Sequence, residues 1–338
     1  MLFFISYFCY INLKFVKQLF LYVCSGLLFL SSCINDRNPD VNSLSPMIEI
    51  RHFDHDFFGM DSVNFDEDLL ILVKKYPDFF KIGFDKAMFK NRYFDKEIRE
   101  LYDAVDSVFS STNELDTELY RAFQYFYHHF ENHDSLKIYT WVSNFERLDP
   151  ILVSESTILI SLDMYLGTES HFYKTAPDYI KQRFDKMYIL SDLFRSYFTS
   201  NIPLSDNNSL LASMVYYGKI HYMISSMLPS YNSHVIMGYP KDKMQWCIRN
   251  EANIWAYFVE NKLLFSSHQQ NKMRFIEDAP FSKFYTSFDR ESPGRIGQWI
   301  GMQIVEAYMN FHPDLTLTDL INDTDAQKIL RESRYKPK

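Results

Sequence analysis

Apolar residues recur along much of this chain in steps of three and four, the spacing that puts them on one face of a helix. Leu69, Leu72, Val73 and Tyr76 form one such stripe, and Ile98, Leu101, Tyr102, Val105, Val108 and Phe109 a more regular second. A third runs through Leu115, Leu119, Ala122, Phe123, Phe126, Tyr127 and Phe130. Three segments break the rhythm. Ile48-Glu49-Ile50-Arg51-His52-Phe53-Asp54 is short and partly alternating, and residues 137–142 (KIYTWV) alternate and are rich in β-formers. Residues 157–164 (TILISLDM) are a β-prone run closed by the turn-prone Leu166-Gly167-Thr168. Each is predicted to be a strand.

Beyond residue 175 the pattern is wholly helical. Pro177 can open a helix carrying Ile180, Phe184, Met187, Tyr188 and Phe194. Residues 209–228 are apolar around most of the circumference, which predicts a central buried helix ending at Pro229. Residues 244–265 predict another long helix, with Trp246, Ala252, Trp255 and Val259. Ser292-Pro293 reads as the start of a helix burying Ile296, Ile300, Ile304, Ala307, Tyr308 and Phe311. Thr324-x-x-Gln327 resembles a capping box for a short last helix. There is no internal repeat and no domain boundary. The predicted fold is α+β and predominantly α-helical: a small mixed sheet of a few strands packed on long helices, in one globular domain over residues 47–338.

The N-terminus follows a different grammar. Lys14 and Lys17 form a positive region, residues 19–30 (LFLYVCSGLLFL) a short apolar core, and Leu30-Ser31-Ser32-Cys33 ends it as bacterial lipoprotein signals end. Small residues at positions 31 and 32 admit a signal peptidase, and the Cys33 thiol takes the lipid. The core is shorter than the roughly 20 apolar residues of a membrane span. Residues 1–32 therefore read as a lipoprotein signal peptide, and residues 33–46, polar and rich in Asn, Asp, Ser and Pro, as the lipidated cysteine with a flexible tether. An uncleaved signal anchor is the other reading, because residues 1–12 are themselves apolar. The expected partner of Cys33 is a membrane, and the expected location the cell envelope, on either its periplasmic or its surface face.

Composition narrows the function classes. A chain 47% hydrophobic and 23% charged builds a large core, and only 9 glycines fit long helices with few tight turns. A net charge of −8 without a basic stripe excludes nucleic acid as a partner. Of four cysteines, Cys9 and Cys24 lie in the leader and Cys33 is the lipid site, so Cys247 is left without an internal disulfide partner.

Several constellations have metal or acid–base chemistry within reach. His129 and His133 are four apart, as zinc ligands on a helix are, but Phe130 stands where H-E-x-x-H needs its glutamate. A solvated helix end is the favoured reading. His52 and His55 alternate with acids on the first strand. Asp163 follows an apolar strand as strand-end catalytic acids do, although a turn-forming role is the stronger reading. Glu251 falls on a buried helix, where an unpaired carboxylate is costly, and Arg249, Arg290 and Arg295 are candidate partners. Gly297 and Gly301 share a helix face and predict close approach of another helix. No catalytic or metal residue is assigned from these patterns, and no cofactor.

Several stretches resemble GldB, the gliding-motility lipoprotein family of Bacteroidota. They are Ile50-Arg51-His52-Phe53-Asp54 with Asp56-Phe57-Phe58, and Ile160-Ser161-Leu162-Asp163-Met164-Tyr165-Leu166-Gly167. Tyr216-Tyr217-Gly218-Lys219, Met227-Leu228-Pro229 and Met237-Gly238-Tyr239-Pro240 follow. The most specific are Asn250-Glu251-Ala252-Asn253-Ile254-Trp255-Ala256-Tyr257-Phe258 and the helix from Pro293 to Met309. The resemblance implies a lipid-anchored envelope protein needed for gliding, associated with other gliding and type IX secretion envelope proteins. The layout is also similar to predicted zinc-dependent peptidases, in which a helix bears H-E-x-x-H and a later one a further acidic ligand. The corresponding helix here reads Leu211-Ala212-Ser213-Met214-Val215-Tyr216-Tyr217, with His221 alone beyond it. That comparison implies a degenerate zincin-like scaffold without enzyme activity, in which Glu251 is a relic and Arg295 and Asp163 are structural or vestigial. The competing reading is an envelope hydrolase of peptides with an unrecognised or degenerate site.

Overall fold

The computed structural model describes residues 39–77, 79–80, 84–130, 134–146, 149–286 and 289–337. Of the unit spanning Met1–Asp40 only Pro39 and Asp40 are described, and the unit Val41–Lys338 holds every element that follows. The signal peptide and Cys33 lie outside the described residues.

Four strands form one sheet in the order β1-β2-β4-β3. They are β1 (Ile48–His52), β2 (Leu136–Trp141), β3 (Ile151–Val153) and β4 (Thr157–Ser161). β1, β2 and β4 run parallel, with Ile50 opposite Ile138 and Ile138 opposite Ile158, while β3 pairs antiparallel with β4. Three of these strands fall where the pattern put them. β3 has only three residues, too few to display an alternation. Parallel strands need a long crossover, and between β1 and β2 come five helices: α1 (Phe53–Phe58), α2 (Phe65–Lys75), α3 (Lys86–Phe94), α4 (Lys96–Val108) and α5 (Thr112–His129).

The remaining helices are α6 (Asp178–Lys181), α7 (Ile189–Asn201), α8 (Leu210–Met227), α9 (Ser233–Met237), α10 (Lys241–Arg249), α11 (Glu251–Glu260), α12 (Gln269–Phe275), α13 (Ile296–Phe311), α14 (Leu317–Asn322) and α15 (Ala326–Ser333). The fold is thus α+β and predominantly helical, as expected. α8 is the buried central helix, and its first turn is closed from outside: Ser209 Oγ accepts from Ala212 N, and Leu210 N and Leu211 N donate to the carbonyls of Ser266 and Leu264. α13 lies against α8 where both carry glycine. A Cβ on Gly301 would stand 1.8 Å from Met214 O, and one on Gly218 2.3 Å from the Gly301 carbonyl.

Four helix expectations are corrected. Residues 244–265 form two helices, because the chain turns at Asn250, whose side-chain amide donates to Trp246 O. The segment after Pro177 is one turn, a 3-10 turn at Lys186–Tyr188 and then α7. α13 starts at Ile296 and not at Ser292-Pro293, since Arg295 intervenes in the left-handed conformation, φ 57°. The last helix is capped by Asp325, which accepts from Gln327 N and Lys328 N, and the capping box belongs to Thr316 and Asp319 of α14. The packed body also begins before Met47. Val41 is fully buried, and Gln124 Nε2 donates to Leu44 O, so the end of the tether segment is seated on α5.

Candidate functional site: an arginine-lined cleft beside the sheet edge

α7 places Asp192 and Arg195 three residues apart, hence on one helix face. Asp192 is buried and accepts hydrogen bonds from Arg183 Nη2, in the segment after α6, and from Tyr165 OH. Arg183 also faces Asp278, which follows α12, at 3.8 Å, and Arg295, the residue before α13, holds Asp278 through Nε at 2.8 Å. Arg295 further donates to Gly238 O and lies over the Tyr239 ring. Those contacts sustain its left-handed backbone, a conformation uncommon outside glycine. Gly238 is at φ +64°, a conformation that strains other residues, and a Cβ there would also sit tightly against Arg195 Nη2 at 3.1 Å and Arg183 Nε at 3.3 Å.

Arg183, Asp192, Arg195, Asp278 and Arg295 line a cleft of about 720 Å³ together with β3, Phe184, Tyr217 and Gln298. That volume falls within the roughly 300–1,000 Å³ of ligand sites. Gln298 is held from behind, accepting from or facing His221 Nε2 at 2.9 Å and donating to Ile276 O at 2.7 Å.

The cluster mixes charges of both signs. Three guanidinium groups line it with four carboxylates, of which Asp192 is buried and Asp149, Glu277 and Asp278 are exposed. Burial opposes the charge of Arg183, but Asp192 and Asp278 outweigh it and raise its pKa. Burial opposes ionisation of Asp278 too, yet Arg295, Arg183 and Arg195 keep its carboxyl below the usual range. Arg195 shares Asp192 with Arg183, its Nη1 3.6 Å from the carboxylate, and its Nη2 donates to Ile236 O. Burial and the neighbouring Arg183 push its guanidinium down to about 9, so it stays charged at neutral pH. Its Nε and Nη1, and Nε of Arg183, are buried without a hydrogen-bond partner. Buried donors are nearly always satisfied, and three of the exceptions among the described residues fall on these two arginines.

Among the sequence-predicted residues, only Arg295 lies in this cleft. Asp163 is fully buried elsewhere and accepts from Ser143 N at 2.7 Å, Ser143 Oγ at 2.8 Å and Phe145 N at 3.2 Å. Burial raises its pKa, against those bonds. It braces the turn after β2, where Asn144 and Phe145 both have positive φ. Glu251 accepts from Tyr335 OH at 2.8 Å, so its partner is a tyrosine near the C-terminus and not Arg249, Arg290 or Arg295. His52 closes β1 and sits between Thr140 Oγ1 and Asp116, whereas His55 is exposed on α1, off the strand. His129 ends α5 and is pushed down to about 4 by burial and by His128, and His133 lies outside the described residues. Cys247 is buried, which raises its pKa. Among the described residues no three of His, Cys, Asp and Glu gather as metal ligands, and no helix is long and apolar enough to cross a membrane.

Arg183, Arg195, Asp192 and Asp278 escaped sequence reasoning because they come from separate segments without a motif. The one available signal was Asp192-x-x-Arg195 as the only charged pair on its helix.

Fold and cleft together define a class: a predominantly helical α+β domain with an arginine- and carboxylate-lined cleft at the edge of a four-stranded sheet. The chain belongs to the family of the gliding motility protein GldB, whose model matches residues 34–337. Neither the curated proteins nor the solved structures contain a match to it.

Proposed function

We propose that this protein is a lipid-anchored, non-catalytic component of the cell-envelope machinery for gliding, linked to type IX secretion, and that it acts by binding other envelope proteins. The observation that carries the reading is the family match over residues 34–337, which opens one residue past Cys33 of the lipoprotein signal. Lipid on Cys33 would hold the domain at a membrane, and the domain would recruit its partners there.

The non-catalytic part is supported by α8, which would bear H-E-x-x-H in a zinc peptidase. It carries one histidine, His221, fully buried between Ile236 O and Gln298 and pushed down to about 3 by burial and Arg195. One histidine does not make the three-ligand set of a catalytic zinc.

The test is movement of single cells over glass. A strain lacking this protein should not glide, the wild-type gene should restore gliding, and Cys33→Ala should not. A deletion strain that glides normally would remove the motility role, and full rescue by Cys33→Ala would remove the anchor. Stoichiometric zinc with peptide cleavage by the purified protein would replace the non-catalytic reading with the hydrolase one.

A further inference from the structure

β2 and β4 turn Tyr139, Trp141 and Leu159 to one face of the sheet, since side chains alternate along a strand and Tyr139 stands opposite Leu159. α1 adds Phe53 and Phe57 and α3 adds Met88 and Phe89, and these residues line a second cleft of about 670 Å³. That size again suits a small ligand. Only Leu152 and Val153 of β3 line both this cleft and the arginine cleft. Phe79, half-buried, stacks on Phe53 with ring centroids 4.0 Å apart and meets the Trp141 ring edge-on at 6.0 Å. Trp141 is half-buried as well, so aromatic surface stays open to the cleft.

The charged groups of this cleft are few and mostly acidic. Asp54, Glu146 and Glu155 line it with one cation among the described residues, Arg92. Arg92 is already engaged: it pairs with Glu146 at 2.8 Å, donates to Val142 O and lies over the Trp141 ring at 5.4 Å. Glu155, exposed on the turn between β3 and β4, has no ion-pair partner among the described residues. Asp54 lies deeper, 6% exposed, on the first turn of α1. Thr140 Oγ1 donates to its Oδ1, and behind Thr140 stand His52, at 3.1 Å, and Asp116, which faces the other ring nitrogen of His52 at 3.2 Å. No second side chain donates to the Asp54 carboxylate among the described residues. Burial raises its pKa, against the Thr140 bond, so a cation beside it would relieve the cost of the buried charge.

Aromatic faces and unspent carboxylates select the same ligand charge. A ring attracts a cation to its face, and a buried carboxylate holds one through a charge-assisted hydrogen bond. Arg92, between the Trp141 ring and Glu146, uses both within this same cleft. The narrow access to Asp54 further selects a slim head that carries N–H donors. We propose that this cleft binds a small organic molecule with a primary ammonium head and an apolar body, the head donating to Asp54 and the body lying along Phe79, Trp141 and Leu159. Glu155 attracts cations to the rim, and Thr140 and His52 are positioning residues that hold the Asp54 carboxylate. The site goes beyond the partner-binding role proposed above and does not depend on it.

The test is equilibrium dialysis of the full chain in detergent at neutral pH, with detergent alone as the blank. The probes are benzylamine, a primary ammonium, and its neutral, anionic and quaternary counterparts benzyl alcohol, benzoate and benzyltrimethylammonium. The expected result is one benzylamine bound per chain, about tenfold more tightly than any other probe, and loss of that preference in Asp54→Asn. Trp141→Leu should weaken benzylamine more than benzyl alcohol. Equal binding of the alcohol, or stronger binding of benzoate, would overturn the selection of a cation. Equal binding of the quaternary ion, or a preference unchanged in Asp54→Asn, would overturn the contact with Asp54. Binding of none of the four overturns the proposal. The comparison among probes on wild-type protein decides the matter even if a variant fails to fold. Because no cell is involved, failure here leaves the gliding role standing, and a gliding failure leaves ammonium binding standing.

Discussion

At the level of single residues, buried ionisable groups account for how this protein should respond to acid. His221 titrates near 3 in the folded chain because burial and Arg195 disfavour its charge, whereas an unfolded histidine titrates near 6.5. Between those values the folded imidazole is neutral and the unfolded one protonated, so unfolding takes up a proton. Stability is then complete above about pH 6.5 and declines as pH falls, by up to about 1.4 kcal/mol per pH unit for this group. His129, pushed down to about 4, acts in the same direction. Denaturant titrations between about pH 6.5 and 4 should show that decline, and His221→Gln should make it shallower; an unchanged slope would place the His221 pKa at its ordinary value. Asp163 makes a second residue-scale claim. Its carboxylate satisfies the buried Ser143 N–H and Ser143 hydroxyl and holds Phe145 at positive φ. Asp163→Ala should cost about 3 kcal/mol of unfolding free energy, and a loss near zero would show that the turn stands without it. The sequence marked Asp163 by its place at the end of an apolar run. It did not reveal the acceptor role, because Ser143 and Phe145 reach the carboxylate only through the parallel pairing of β2 with β4.

Among the elements, the contact between α8 and α13 is the tightest. Gly301 Cα lies so near the α8 backbone that a methyl group would stand 1.8 Å from Met214 O. A backbone carbonyl has no rotamer to yield, so Gly301→Ala must push the helices apart. The expected loss is about 3 kcal/mol or more, above usual overpacking costs, read as a fall in the denaturant midpoint. A loss below about 1 kcal/mol would show that the helices separate easily. The glycine spacing on α13 announced this contact from sequence, and the all-round apolar character of residues 209–228 announced its partner. Helix stops were less legible. The apolar pattern runs on through Asn250, where the side chain bonds back to Trp246 O and the chain turns. Ser292-Pro293 looks like a start, but Gly294 is packed so closely on Ala279 that a Cβ would lie 2.3 Å from its carbonyl, and Arg295 turns left-handed before α13 begins. Periodicity reports which face is buried and is silent on such local contacts.

For the whole molecule, the family match and the cleft meet. The cleft was illegible in the sequence because its arginines belong to the α6–α7 segment, to α7 and to the start of α13, which only the packed fold brings together. Only Arg295 stood out beforehand, and then as a partner for Glu251. If this gliding motility family member works by binding, as proposed above, the cleft lined by Arg183 and Arg195 is the surface to test. The most direct measurement is single-cell gliding speed in a deletion strain carrying Arg183→Gln and Arg195→Gln together, with protein abundance matched to wild type. The expected result is movement no faster than that of the deletion strain itself. Gliding at wild-type speed with the double variant at full abundance would contradict it.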